Sequence, residues 1–184
     1  NASGTGDCFM TTPAKSSFAL RLWLPGYHTP SGNKTIGKHW SKVHKMRKPL
    51  AAALYEAMRE IPVRERTECH KVAYQVLTKM LMGVPLEKRK GKKPAKPTVP
   101  ARLRIERVTL SLCDEDNFKG GTKALVDCLR YAFPTVLLDD APGYVVMEHV
   151  QTQCGSKCEK GTWVDLAAGE EPEKLPQESA KNRN

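Results

Sequence analysis

Apolar residues alternate with others from Phe18 to Leu24 (Phe18, Leu20, Leu22, Leu24), and Pro25-Gly26 ends the run, so the pattern predicts a strand followed by a turn. Between His39 and Glu60 the spacing changes. Trp40, Val43, Met46, Leu50, Leu54 and Met58 step by three or four, which is helical, and Pro49 is expected to kink that helix or divide it in two. Residues 66–82 have the propensity of a second helix. From Arg102 to Cys113 the alternation returns (Leu103, Ile105, then Val108, Leu110, Leu112), with a slip of phase near Glu106-Arg107 that suits a bulge. This stretch reads as a central strand that delivers Asp114. Thr122 to Phe133 is amphipathic, with Leu125, Cys128, Leu129 and Ala132 on one face and Lys123, Asp127 and Arg130 on the other. Tyr144–Gln153 and Thr162–Leu166 read as the arms of a hairpin whose turn is CGSKCEKG. The sum is an α+β chain with about four strands and helices to cover them.

The 184 residues suffice for one well-buried domain, placed at 17–168. Residues 1–16 are rich in Gly, Ser, Thr and Pro, and the tail from 169 to 184 is charged and poor in apolar residues, so both ends are expected to be disordered. Residues 61–100 have the look of an insertion, part helical and part basic. Its positions 88–96, KRKGKKPAK, hold six Lys and Arg without an acid and are flanked by prolines, which predicts a mobile basic loop able to contact phosphates.

Charge narrows the class of partner. Thirty Lys and Arg against 20 Asp and Glu give a formal net charge of +10, clustered rather than spread, which favours a polyanion. The second basic cluster is Lys34, Lys38, His39, Lys42, His44, Lys45, Arg47 and Lys48, with Trp40 inside it on the apolar stripe. Together with Lys88, Arg89, Lys90, Lys92 and Lys93 these lysines and arginines are the expected DNA-backbone contacts, which position a substrate and carry little sequence information. No apolar run approaches the length of a membrane helix and the N-terminus lacks the pattern of a signal peptide, so no membrane association and a cytoplasmic location are expected. The six cysteines are irregularly spaced and read as free thiols. Cys69, His70, Cys154 and Cys158 are a loose candidate zinc set, set aside in favour of plain packing. Asn33-Lys34-Thr35 matches a glycosylation acceptor and is read as chance.

The chemistry concentrates in Leu112–Asp140. Asp114 and Asp116 flank Glu115 at the end of the predicted strand, where side chains two apart point the same way, and a second acidic pair, Asp139-Asp140, closes the segment. Clustered carboxylates repel unless a cation sits among them, and Mg²⁺ suits hard oxygen donors and carries waters that can attack a phosphate. A basic chain around such a site suggests a nuclease.

The stretch DEDN at 114–117, then Lys123-Ala124-Leu125-Val126-Asp127-Cys128-Leu129, then Leu137-Leu138-Asp139-Asp140, resembles the RusA family of Holliday junction resolvases, especially its divergent phage members. The strand ending at Pro25, Asn33 and the His39-Trp40 start of a basic helix are similar to the family's opening, so the resemblance covers roughly 18–60 and 101–167. It implies a small mixed sheet with helices on it and a symmetric homodimer acting on four-way or other branched DNA. It makes Asp114, Asp116 and Asp140 the metal carboxylates for Mg²⁺ or Mn²⁺, with Lys123 beside the scissile phosphate, and implies no organic cofactor. Asn117 and Asp127 then have supporting roles, and Asp139 is the neighbour that would replace Asp140 on a shift of one. FKGGT makes the gap from Asn117 to Lys123 three residues longer than in the shortest members and leaves Lys119 as a rival lysine. The alternatives are a non-catalytic binder of branched DNA and a nuclease acting on flaps or RNA.

Overall fold

The computed structural model describes residues 19–27, 29, 40–86 and 93–169, without the side chains of 40–46. Residues 1–16, most of the tail, Lys34, Lys38, Lys88, Arg89, Lys90 and Lys92 therefore lie outside the described residues, as do the side chains of Trp40, Lys42 and Lys45. Along the chain come β1 (Ala19–Pro25), α1 (Trp40–Arg59), α2 (Glu68–Leu81), β2 (Ala101–Thr109), α3 (Glu115–Ala132), β3 (Val145–Gln153) and β4 (Gly161–Ala167). None of the described helices is long and apolar enough to cross a membrane.

The four strands make one mixed sheet in the order β1-β4-β2-β3, with β4 antiparallel to both neighbours and β3 parallel to β2. The expected hairpin is thus corrected: β3 and β4 are separated by β2. Alternation marks a strand but not its partner, and β2 has the stronger claim to a central place, because Ala101, Leu103 and Ile105 are all buried whereas β3 buries only Val145. The expected bulge is absent too. Register runs unbroken from Ala101↔Val145 to Thr109↔Gln153, and the apparent slip arises because Arg107 and Thr109 occupy inward positions.

Helix α1 runs through Pro49 in one piece. A mid-helix proline costs about 3 kcal/mol, and burying Leu50, Leu54 and Met58 against the sheet, at roughly 1.5–3 kcal/mol each, outweighs that. Helix α2 starts at a reciprocal cap in which the Thr67 N–H donates to His70 Nδ1 at 3.0 Å. That bond assigns His70 to a helix end, and no zinc set forms from it among the described residues. Though its segment reads as an insertion, α2 buries Ala73 and Leu77 in the common core and ties to α1 through the Tyr74 hydroxyl, which donates to the Met58 carbonyl.

One core joins Leu20, Leu22 and Leu24 of β1, Leu103 and Ile105 of β2, and Val164 and Leu166 of β4 to Leu50, Leu54 and Met58 of α1, Leu77 of α2, and Phe118, Leu125 and Leu129 of α3. All three helices therefore cover the same face of the sheet.

Candidate functional site

The strand expected to end on Asp114 stops at Thr109, and a helix begins at Glu115, seven residues before the expected start at Thr122. Gly120 and Gly121, which read as helix breakers, lie inside α3. Each glycine costs about 1 kcal/mol in a helix, and the burial of Phe118 one turn into α3, worth roughly 1.5–3 kcal/mol, is of the size that offsets the two. Asp114 stands at the N-cap, with Glu115 and Asp116 in the first turn, where the positive end of the helix favours carboxylates. In a helix, neighbours two apart diverge by about 200°, so Asp114 and Asp116 share a helix end without sharing the strand face that alternation implied. Asn117 Nδ2 donates to Asp114 Oδ2 at 3.2 Å.

After α3 the chain turns back, the Leu137 N–H reaching the Phe133 carbonyl at 2.8 Å, and buried Leu137 anchors the return. This lays Asp139 and Asp140 along α3. Lys123 Nζ lies 3.3 Å from Asp140 Oδ2, and Arg130 Nη1 lies 3.0 Å from Asp140 Oδ1 and 3.7 Å from Asp139 Oδ1. Burial is the largest influence on the Asp140 carboxyl and would raise its pKa. The hydrogen bond with Asp139 and the charge and hydrogen bond of Lys123 together prevail, and the pKa falls below the ordinary carboxylate value.

Asp116, Lys123 and Arg130 are seven residues apart and so share one stripe of α3. Asp116 is about 10 Å along the helix from Lys123. The three carboxylates expected around one ion are not brought together: among the described residues no group of three His, Cys, Asp or Glu could hold a metal. A three-aspartate cage does not fit this arrangement. Taken singly, Asp114 or Asp116 does fit the chemistry of Mg²⁺ or Mn²⁺ in the coarser sense, since Mg²⁺ commonly takes one or two carboxylates and completes its shell with water and substrate phosphate.

Lys123 engages Asp140 rather than Asp127. Asp127 faces Arg47 of α1 at 3.9 Å, and the Arg47 guanidinium also lies 5.9 Å from the Tyr131 ring centre. Arg47, expected on DNA, is instead half-buried between α1 and α3, while Lys48 and Lys93 are exposed. The rival Lys119 pairs with Glu115 at 2.6 Å.

Three residues outside the sequence pattern support the start of α3. Gln151 of β3 grips Cys113: its Oε1 accepts from the Cys113 N–H at 3.1 Å and its Nε2 donates to the Cys113 carbonyl at 2.7 Å. Buried Arg107 places Nη1 3.1 Å from Cys113 Sγ. His149 Nε2 is 3.0 Å from the Thr122 hydroxyl, which itself donates to the Lys119 carbonyl, so the imidazole is the donor of that pair. Burial, then the charge of Lys119, lower the His149 pKa against a small opposing effect of Glu115. Arg130 carried a signal, its heptad distance from Lys123; Gln151 and His149, on the edge strand, carried none. In comparisons with known proteins, no family model, curated protein or solved structure matches this chain.

Proposed function

We propose that this protein is a metal-dependent endodeoxyribonuclease that cuts four-way junctions or related branched DNA. The observation that carries the reading is the α3 stripe: Asp116, Lys123 and Arg130 in line, Asp140 held against the two cations, and the basic helix α1 docked alongside through Arg47 and Asp127. The motif order resembling RusA adds the substrate class.

Asp116 on the stripe, or Asp114 at the same helix end, would hold Mg²⁺ or Mn²⁺, which when bound supplies a water of lowered pKa and neutralises charge on a phosphate. Lys123 brings a compact ammonium to the same stripe, suited to the charge that builds on a phosphate during hydrolysis. Asp140 holds that ammonium in place through Oδ2 while Arg130 steadies Oδ1. Lys48 of α1 and Lys93, both exposed, offer backbone contacts. A symmetric homodimer would present two such stripes to the two equivalent strands of a junction, and DNA inside the cell makes the cytoplasm the site of action.

A second reading, a non-catalytic binder of branched DNA, is favoured by one observation: Asp140 is already neutralised by Lys123 and Arg130 rather than converging on Asp114 and Asp116. The test is cleavage of a synthetic four-way junction in Mg²⁺, with linear duplex and flap as controls and Ca²⁺ to measure binding, comparing wild type with Asp116→Asn. Paired symmetric nicks that vanish in the variant while binding persists support the nuclease. Tight binding with no cut by wild type supports the binder, and cutting of flaps alone keeps the chemistry and changes the substrate.

A further inference from the structure

With the three helices packed on one face, the outward positions of the strands form a surface that no described element covers. Across it run Arg21 and Trp23 of β1, Trp163 and Asp165 of β4, Arg102, Arg104, Glu106 and Val108 of β2, and Val146 and Glu148 of β3. Trp23 and Trp163 sit directly opposite one another, their ring centres 4.9 Å apart. The Arg21 guanidinium lies 4.6 Å from the Trp163 ring centre, so two indoles, their planes tilted by 40°, and a guanidinium form one contiguous group. Both rings are only half-buried.

The two rings pair across the strands and yet stay half in water, which leaves aromatic surface open to a ligand. The charges on the face balance in number but not in reach. Arg21 is 64% exposed and its partner Asp165 33%; Arg104 is 44% exposed and its partner Glu106 18%. Glu106 is held down further by the Thr152 hydroxyl, which donates to it at 2.7 Å. Over β1, β4 and β2 a ligand therefore meets guanidinium groups and indole faces before it meets a carboxylate, whereas exposed Glu148 bounds the surface on the edge strand β3. Rings that stack on flat bases and cations that reach for phosphates are the two requirements of a platform for single-stranded nucleic acid.

We propose that the open face of the sheet binds an unpaired stretch of nucleic acid, with bases stacking on Trp23 and Trp163 and Arg21, Arg102 and Arg104 contacting its phosphates. This face is on the side of the sheet away from α3, so it takes a different part of a substrate from the α3 stripe and does not depend on that stripe being catalytic. An unpaired strand satisfies the site where a duplex does not, because paired bases keep their faces stacked on one another.

The test is fluorescence anisotropy of a labelled oligonucleotide of about 15 nucleotides, as dT and as rU, with the full chain over a range of salt. Trp23→Leu and Trp163→Leu keep apolar bulk, and the double variant Arg102→Gln/Arg104→Gln leaves the rings intact, so the proposal stays testable if a tryptophan variant fails to fold. Each folded tryptophan variant is expected to weaken binding roughly ten-fold, and the arginine variant to lower the slope of log affinity against log salt by about 1.4. Affinity equal to wild type in these folded variants overturns the proposal, as does a wild type that binds duplex as well as single strand. Loss of self-association with unchanged oligonucleotide binding would overturn it in favour of an interface between copies of the chain. Preference for dT or rU names the strand. Junction cleavage is measured on the same proteins: oligonucleotide affinity that falls in the variants supports the platform whether or not the wild type cuts a junction.

Discussion

Gln151 holds Cys113 by both ends of its amide, taking the N–H at 3.1 Å and giving a hydrogen bond to the carbonyl at 2.7 Å. The edge strand β3 thereby substitutes for the ladder that β2 no longer supplies beyond Thr109, and it fixes the residue immediately before the N-cap Asp114. Half-buried backbone groups left without partners are costly, so the pair is a structural requirement of the acidic turn. Gln151→Ala is expected to destabilise the protein by about 2 kcal/mol, two modest hydrogen bonds lost together, read as a lower urea midpoint at unchanged slope. Any function carried by Asp114 should fall with it, and an unchanged midpoint would show the bonds to be dispensable.

Gly161 of β4 is where the Trp23 ring packs against the neighbouring strand. A Cβ at this position would meet the indole at 2.3 Å and the Leu24 carbonyl oxygen at 2.8 Å, and the second of these is backbone that cannot swing aside. Gly161→Ala is expected to cost about 2 kcal/mol, typical of overpacking, and to shift tryptophan emission as Trp23 lifts off the strand. Wild-type stability with wild-type emission would overturn this packing.

The Asp140 carboxyl has a pKa lowered in the fold, so its charge contributes stability above the unfolded value of 3.8 and that contribution is lost as pH falls through the folded one. The stability difference between wild type and Asp140→Asn should therefore be constant near neutrality and shrink only below about pH 4. Urea midpoints of the two proteins from pH 3 to 7 check this, at roughly unit steps. The Lys123 side chain is 70% exposed, so Lys123→Ala should change stability by only about 0.5 kcal/mol or less while abolishing most of any cleavage.

His149 has the opposite chemistry with the same slope. Burial lowers its pKa, so the fold prefers the neutral ring; stability is full above the unfolded value of 6.5 and is lost as pH falls towards the folded one. Its bond to Thr122 survives either way because the ring donates. His149→Gln should flatten the part of the profile that falls below the unfolded value of 6.5, read by urea unfolding. A variant with the full wild-type loss would assign the effect elsewhere, His70 being the other histidine with a lowered pKa among the described residues.

Apolar spacing alone marks out the elements with strong period: β1, α1 and α2 fall within about two residues of where it puts them, and the α+β class with four strands follows. The order of the acidic and basic residues in 114–140 is likewise a property of the sequence, and with it the shared stripe of Lys123 and Arg130, because helical spacing is local. What the tertiary structure decided was everything that depends on who meets whom. Glycines at 120 and 121 argue for a break, and only the burial of Phe118 and Gly121 under the sheet turns DEDN into a helix start. Alternation assigns β3 and β4 to strands but not to partners, and the pairing that puts β2 between them is settled by which strand gains most from a central place. Asp140 meets Lys123 and Arg130, rather than Asp114 and Asp116, because buried Leu137 fixes where the chain returns along α3. Distances between residues far apart in the chain are set by packing of the core, and packing is a property of the whole fold that no local pattern contains.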